Sequence, residues 1–146
     1  MQALFSMDMS GAFSEEAVTE YCRCFPPGKR VLPFFMHLVT GVLMNKPRID
    51  AIIERYSNNW KIRRMACVDR NILRLAVFEL LYCTDIPAKV AINEAIDIGK
   101  KFGSPETGSF INGIIDSIRM AIDKQQIEAV SLAPPARTQP SAAPGE

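Results

Sequence analysis

Apolar residues recur every three or four positions along most of the chain as far as about residue 123, which is the spacing of one face of an α-helix. The segment from Cys67 to Cys83 differs, because its second half is apolar on nearly every face, and this predicts a central helix buried on all sides. We find no alternating β-branched run of useful length. The pattern therefore predicts an all-α fold, a compact bundle of six to seven helices.

Two short helices are predicted at the front of the chain. The first ends at Ser10-Gly11, and no Ser, Thr, Asp or Asn stands before it to cap its first turn. Ser14 followed by two glutamates predicts the start of a second helix that runs to about Cys24, because carboxylates in a first turn complement the helix dipole. The apolar stripe of the first helix is predicted to be Ala3, Leu4, Met7 and Met9.

The middle of the chain is predicted to hold a third and a fourth helix. Pro33 suits the first turn of the third. Asn45 and Pro47 predict its end, because proline cannot donate the backbone hydrogen bond of a helix interior. The fourth helix is expected to open there and to carry apolar residues from Ile49 to Tyr56.

Two more helices are predicted after the central one. The first is expected to end at Gly103, and Ser104-Pro105-Glu106 has the order of an N-cap, a first helical position and an acidic first turn for the second. The predicted core stripes are Ala91, Ala95, Ile98 and Phe102 in the one helix, and Ile111, Ile115, Ile118 and Ile122 in the other.

The last part of the chain differs in composition. Prolines recur there among Ala, Ser and Gln, and such a composition neither continues a helix nor buries much surface. We therefore expect a helical domain over residues 1–129 and a flexible Pro/Ala-rich tail over residues 130–146, whose removal is harmless.

Length, charge and cysteine use narrow the class of protein. The 146 residues suit one domain with one core. Seventeen basic and sixteen acidic residues give a formal charge of +1, so any RNA binding must come from a local patch. No apolar run approaches the ~20 residues that cross a bilayer. Four cysteines and no secretory signal lead us to expect a cytoplasmic protein.

The sequence lacks the residue sets of common catalytic sites. Gly103 and Gly108 have the spacing of a phosphate-binding loop, but the Lys-Ser/Thr pair is missing and no strand precedes them. The helix start that follows can still hold a phosphate on its free amide groups. His37 has no partner at a helical offset, and Cys22 and Cys24 are too close together for a zinc knuckle. We expect no catalysis, no metal and no cofactor.

Two basic clusters and one aromatic residue each allow two interpretations. The clusters either are solvated helix ends or bind phosphate, since cations are also favoured at helix C-termini. Phe110, one turn into the last helix, either packs in the core or stacks on a base. The clusters are Lys61, Arg63 and Arg64, and, separately, Lys100 and Lys101.

Four motifs in order resemble the signature of the NusB family. They read LRxAxxEL, IPxKVAINEA, KFG and FxNGxxD, and together they are far more specific than any one of them. With weaker similarity in the first and third helices, the resemblance covers about residues 1 to 123. The motifs lie within Val68–Tyr82, Asp85–Ala95, Lys100–Gly103 and Phe110–Asp116.

The resemblance implies a compact all-helical protein without enzymatic activity. Members of the family pair with NusE, a ribosomal small-subunit protein, and the pair binds the boxA element of nascent RNA. This helps to assemble an antitermination complex on RNA polymerase, notably on ribosomal RNA operons. The resemblance implies partner contacts at Phe5 and Asp69, and leaves open whether the same face forms a homodimer. It implies RNA contacts at Lys100, Lys101, Glu106, Ser109 and Phe110.

The front of the chain departs from the family pattern. Family members usually carry an arginine-rich stretch just before the equivalent of Gln2, whereas residues 1–22 here hold no Lys or Arg and four acidic residues, which are expected to repel RNA. Either the true start lies upstream, which we favour, or the partner holds the RNA. The alternative function is an interaction module without RNA binding of its own, like the NusB-like domain of some ribosomal RNA methyltransferases. The acidic residues are Asp8, Glu15, Glu16 and Glu20.

Overall fold

The computed structural model describes residues 1–130, and within that range the chain forms α-helices, one short 3₁₀ turn and no strand. The prediction of an all-α bundle is confirmed. The tail predicted over residues 130–146 lies, except for its first residue, outside the described residues, and the domain division stays a prediction. The elements in chain order are α1 (Gln2–Ser10), α2 (Glu15–Cys24), α3 (Leu32–Tyr56), the 3₁₀ turn (Ile62–Arg64), α4 (Cys67–Tyr82), α5 (Ala88–Phe102) and α6 (Thr107–Asp123).

Helix α4 is the centre of the bundle. Every residue from Asn71 to Tyr82 is buried, so the predicted central helix is confirmed. The helix packs against α1, α3, α5 and α6, which cover it on all sides. Its buried side chains include one basic and one acidic residue, Arg74 and Glu79. None of the helices in the described range is long and apolar enough to cross a membrane.

Helix α1 ends, and helix α2 begins, where the capping residues predict. Gly11 ends α1 with φ at 72°, a left-handed conformation that glycine adopts without strain. The Ser14 hydroxyl accepts a hydrogen bond from the Ala17 amide at 3.1 Å and so caps α2. Met9 was wrongly assigned to the core stripe: its side chain is 67% exposed, because a residue two places beyond the buried Met7 points to the opposite face of the helix.

Helix α3 is continuous, so the prediction of two helices separated at Pro47 is wrong. An interior proline costs about 3 kcal/mol, but burial on both sides of it outweighs that cost. Asn45 does not end the helix either, since its side-chain amide donates to the Gly41 carbonyl at 2.8 Å within the helix. The buried stripe runs past the proline without a break and consists of Val39, Val42, Ile49 and Ile53.

An ion cluster ties α1 and α3 to α4. Arg74 on α4 donates to the Asp50 carboxylate on α3 at 2.8 Å. Burial raises the pKa of Asp8, but the hydrogen bonds and charges of its partners outweigh it and lower the pKa to about 2. Asp8 is therefore ionised and its charge is balanced by Arg70 and Arg74, and the expectation that the acidic residues at the front of the chain repel RNA stays a prediction. Its carboxylate accepts hydrogen bonds from three α4 side chains: Arg70 at 2.7 Å, Asn71 at 2.8 Å and Arg74 at 3.0 Å.

The turn between α5 and α6 is longer than predicted, because α6 begins at Thr107 rather than directly after Ser104. Thr107 fixes the turn before the helix, because its hydroxyl oxygen accepts a hydrogen bond from the Ser104 amide at 2.9 Å. Phe102 is 39% exposed and not part of the core, since the chain turns away right after it. Ile122 is only half-buried, and the neighbouring Ala121 is buried in its place. The other predicted residues of the α6 stripe, Ile111, Ile115 and Ile118, are buried.

Candidate nucleic-acid interface

A groove lies where the end of α5 meets the start of α6, and its volume is about 660 Å³. Lys100 reaches it from the last turn of α5, and Ser109 from the first turn of α6. Two of the side chains that the sequence predicts for RNA binding therefore share one groove. Ser104 and Asn112 add polar groups to its wall.

The start of α6 also offers backbone donors to this groove. Gly108 and Ser109 line it from the first turn, where helix amide groups have no acceptor within the helix. The side chain of Glu106 at the N-cap makes no capping hydrogen bond. Free amide groups, the positive end of the helix and the Lys100 ammonium together suit a phosphate group.

The turn that shapes the groove is held by close packing. A Cβ atom on Gly103 would lie 2.4 Å from the Thr107 hydroxyl oxygen, so only glycine fits there. Thr107 is buried and donates a hydrogen bond to the Asp69 carboxylate of α4 at 2.8 Å. The glycine spacing noted in the sequence therefore serves a tight helix-to-helix turn fixed to the central helix.

Phe110 is half-buried: part of its side chain packs against the core and part reaches the surface. This position is compatible with either of its two predicted roles. Its ring packs edge to face with the ring of Trp60, with centroids 6.1 Å apart and planes at 68°. Trp60 is 53% exposed. Sequence analysis missed this residue, although it is the only tryptophan and directly precedes a basic cluster.

The basic cluster beside Trp60 lies on the surface of the same region. Arg63 and Arg64 belong to the 3₁₀ turn, and both are exposed. Lys61 is also exposed, with its ammonium 4.0 Å from the Glu54 carboxylate. These three cations follow Trp60 directly in sequence, and the packing of Trp60 on Phe110 brings the cluster to the start of α6, which the distance in sequence did not suggest.

Two further predicted residues lie outside the groove. Lys101 is exposed, and its ammonium lies 5.3 Å from the centre of the Phe102 ring rather than in the groove wall. Glu106 is exposed just before α6 begins. Of the five predicted RNA residues, the structure therefore brings Lys100 and Ser109 into the groove. Phe110 follows Ser109 on α6 but does not line the groove, since its ring packs on Trp60.

The sequence of this helical bundle matches a known protein family. The family model for the NusB family matches residues 1–119. The chain belongs to the NusB family. It is 49% identical to the transcription antitermination protein NusB of Desulfatibacillum aliphaticivorans, over 86% of this chain and 88% of that relative. It is 42% identical to the protein of the same name from Myxococcus xanthus, over 85% of this chain and 91% of the relative.

Solved structures of the NusB family share the fold. T. maritima NusB superposes with a TM-score of 0.73 at 33% identity, over 86% of this chain and 91% of that one. A structure of the antitermination factors NusB and NusE in complex with double-stranded RNA matches with a TM-score of 0.72 at 28% identity, over 82% of this chain and 89% of that one.

The two residues predicted for partner contacts lie on different elements of this NusB-family bundle. Phe5 is half-buried on α1. Asp69, also half-buried, is in the first turn of α4, where one carboxylate oxygen already accepts the Thr107 hydroxyl. Asp69 therefore lies under the turn that forms the groove. Its contact with a partner, like that of Phe5, stays a prediction.

Proposed function

We propose that this chain is a transcription antitermination factor that binds boxA RNA together with NusE and helps to assemble an antitermination complex on RNA polymerase, notably on ribosomal RNA operons. Relatives that carry the name transcription antitermination protein NusB support it. So does the likeness to a NusB chain solved with NusE and RNA. The work is done in the cytoplasm by binding alone, with no catalytic step and no cofactor.

The observation that carries the proposal is the meeting of a cationic groove with an aromatic ring at the start of α6. Phe110 stacks on an unpaired base, as aromatic side chains do in proteins that bind single-stranded RNA. Lys100, Ser109 and the free amide groups of α6 bind the neighbouring phosphate. Lys101 adds positive charge nearby. Glu106 cannot bind phosphate, but its carboxylate can accept a hydrogen bond from an amino group on a base edge.

Phe5 supplies an apolar contact to NusE from α1, and Asp69 supplies a polar one from α4. The contact at Phe5 leaves the start of α6 free for RNA, whereas the contact at Asp69, which lies under the turn before α6, brings the partner next to the RNA groove. Because residues 1–22 hold no Lys or Arg, we expect the NusE-type partner to supply part of the phosphate contacts.

The test is the affinity of the chain for a boxA-like RNA oligonucleotide, with and without the NusE-type partner, over a series of salt concentrations. Phe110→Leu keeps apolar bulk against the core but removes the aromatic face, so we expect affinity to fall about 5- to 150-fold with the stability to urea nearly unchanged. Phe25→Ala is the matched control, since Phe25 is 66% exposed and packs on Tyr21, which in turn stacks on Phe35 near the other end of α3.

The outcomes separate clearly. Binding of the boxA-like RNA over a scrambled RNA, lost in Phe110→Leu and kept in Phe25→Ala, supports the proposal. Equal binding of both RNAs, with or without the partner, contradicts it and favours an interaction module that does not bind RNA specifically.

A further inference from the structure

Trp60 carries an exposed aromatic ring, and packing within the bundle does not explain why a tryptophan stands at this position. More than half of its surface is open to solvent, although tryptophan gains more than other residues from burial. The part that is covered rests against Phe110, 6.1 Å away between ring centres. An exposed ring held beside a second ring suits the flat face of a nucleic acid base.

The loop that carries Trp60 is held by hydrogen bonds within the loop itself and to the end of α3. The Glu54 carboxylate accepts a hydrogen bond from the Ile62 amide at 2.9 Å, and so spans the loop. The Ser57 hydroxyl lies 3.2 Å from the Glu54 carbonyl and 3.3 Å from the Trp60 carbonyl. Asn58 and Asn59 both have φ near 60°, the left-handed conformation that lets the chain reverse after α3. The ring is therefore presented by an ordered loop rather than by a free one.

The far end of the loop is fixed to the central helix. Arg70 donates a hydrogen bond to the Met65 carbonyl at 3.3 Å while it holds Asp8. The 3₁₀ turn with Arg63 and Arg64 thus lies between two anchored points, so its backbone is held in place before a ligand binds.

The charges around Trp60 favour an anion. Lys61, Arg63 and Arg64 are exposed. The carboxylate of Glu54 is used by the Ile62 amide and by Lys61, so it does not cancel the two arginines. Glu106 is the acidic side chain one turn before Phe110, and a backbone phosphate would have to pass on the arginine side of the ring pair.

We propose that Trp60 is a second base-stacking residue of the RNA-binding face, and that Arg63 and Arg64 bind phosphates of the same single strand. The strand then runs from the groove at the start of α6, across Phe110 and Trp60, to the 3₁₀ turn. This inference rests on the proposed function, because it extends the same RNA-binding face by at least one base.

Affinity and its salt dependence test the two parts of the inference separately. In the complex with the NusE-type partner, Trp60→Ala is expected to lower the affinity for a boxA-like RNA about 5- to 150-fold, and Trp60→Phe to restore most of it. Replacing Arg63 and Arg64 together by Gln is expected to flatten the slope of log affinity against log salt by about 0.7 for each phosphate that the variant no longer binds. Phe25→Ala again serves as the aromatic control.

Fluorescence distinguishes stacking from mere support of Phe110. As the only tryptophan of the chain, Trp60 reports on its own surroundings once the signal of a Trp60→Phe complex is subtracted. Adding the RNA to the preformed complex is expected to quench this fluorescence and to protect the ring from acrylamide. A ring that only supports Phe110 stays open to acrylamide after the RNA has bound.

Each result decides one question. If the wild-type complex binds the RNA specifically and Phe110→Leu weakens it, but Trp60→Ala binds normally or Trp60 stays unprotected, this inference is wrong and the proposed function stands. If the partner alone already shields Trp60, the ring belongs to a protein interface and the inference is wrong. If the wild-type complex does not bind the RNA specifically, both fail.

Discussion

Glu79 is an acidic side chain enclosed in the bundle, 5% exposed on the central helix. Burial raises its pKa, and repulsion from Glu94 raises it further, while the Met1 ammonium lowers it; the result is a pKa of about 7. Asp8 is partly buried, yet its pKa is about 2, because arginine and asparagine side chains donate hydrogen bonds to it. For these two carboxyl groups, the partners rather than burial alone decide the direction of the shift.

The raised pKa of Glu79 predicts a pH-dependent stability. Between its ordinary pKa of 4.5 and the folded value of about 7, the folded state binds more protons than the unfolded state. The contribution of Glu79 to the stability is therefore fully present below pH 4.5, and this contribution is lost as the pH rises through 7. Glu79→Gln mimics the protonated form and should stabilise the chain at pH 8, by up to about 3 kcal/mol, but not at pH 5.

Urea unfolding at the two pH values measures this difference. Glu128→Gln is the control, because the side chain of Glu128 is exposed and its hydrogen bond to Arg48 uses the backbone carbonyl. The same change in stability for Glu79→Gln at pH 5 and pH 8 would contradict the prediction.

At the scale of the elements, α3 and α4 approach each other closely at Gly41. A Cβ atom there would lie between 2.1 and 2.9 Å from three atoms of the Phe78 ring. Phe78 is fully buried, so its ring has nowhere to move. The crossing of these two helices therefore depends on the absence of a side chain at a single position.

Gly41→Ala is expected to destabilise the chain by at least 1 to 3 kcal/mol, since a methyl group must be forced into a packed core. The matched control is Gly113→Ala on α6, where nothing lies within 4 Å of the added atom. There the usual preference of a helix for alanine should stabilise the chain by about 0.5 to 1 kcal/mol. Urea midpoints compare the two variants, and a shift of the same sign in both would refute the packing argument.

At the scale of the whole molecule, the chain after α6 turns back to cover the bundle. Ile127 is buried, and the Val130 amide donates to the Leu81 carbonyl at the end of α4 at 2.9 Å. The Glu128 carbonyl accepts a hydrogen bond from Arg48 of α3 at 2.7 Å. These contacts join the segment after the last helix to two elements that lie far from it in sequence.

Two truncations are expected to differ. A chain that ends after residue 130 keeps all of these contacts, and we predict an unchanged free energy of unfolding. A chain that ends after residue 123 loses the burial of Ile127 and both hydrogen bonds, which should cost about 2 to 5 kcal/mol. Denaturation of the full chain and both truncated chains checks the prediction. A large loss of stability in the chain that ends after residue 130 would contradict it.

The sequence by itself determined most of the helices, the buried character of α4 and the membership in the NusB family. The physical reason is that helix periodicity, the Ser14 cap and the Gly11 stop act over a few neighbouring residues. The motifs could be found for a similar reason, since each is a short stretch of chain. Local signals also misled: Pro47 predicted a break, and Ser104 a helix start.

Only the tertiary structure decided which surfaces meet. Asp8 and Arg70 form an ion pair although they are 62 positions apart, and no local pattern in the sequence indicates that they are partners. Trp60 and Phe110 lie in segments that look unrelated until the end of α3 and the start of α6 come together. Burial on both sides of Pro47 likewise outweighs the local cost of the proline, because the energy of packing depends on residues distant in the chain rather than on neighbours along it.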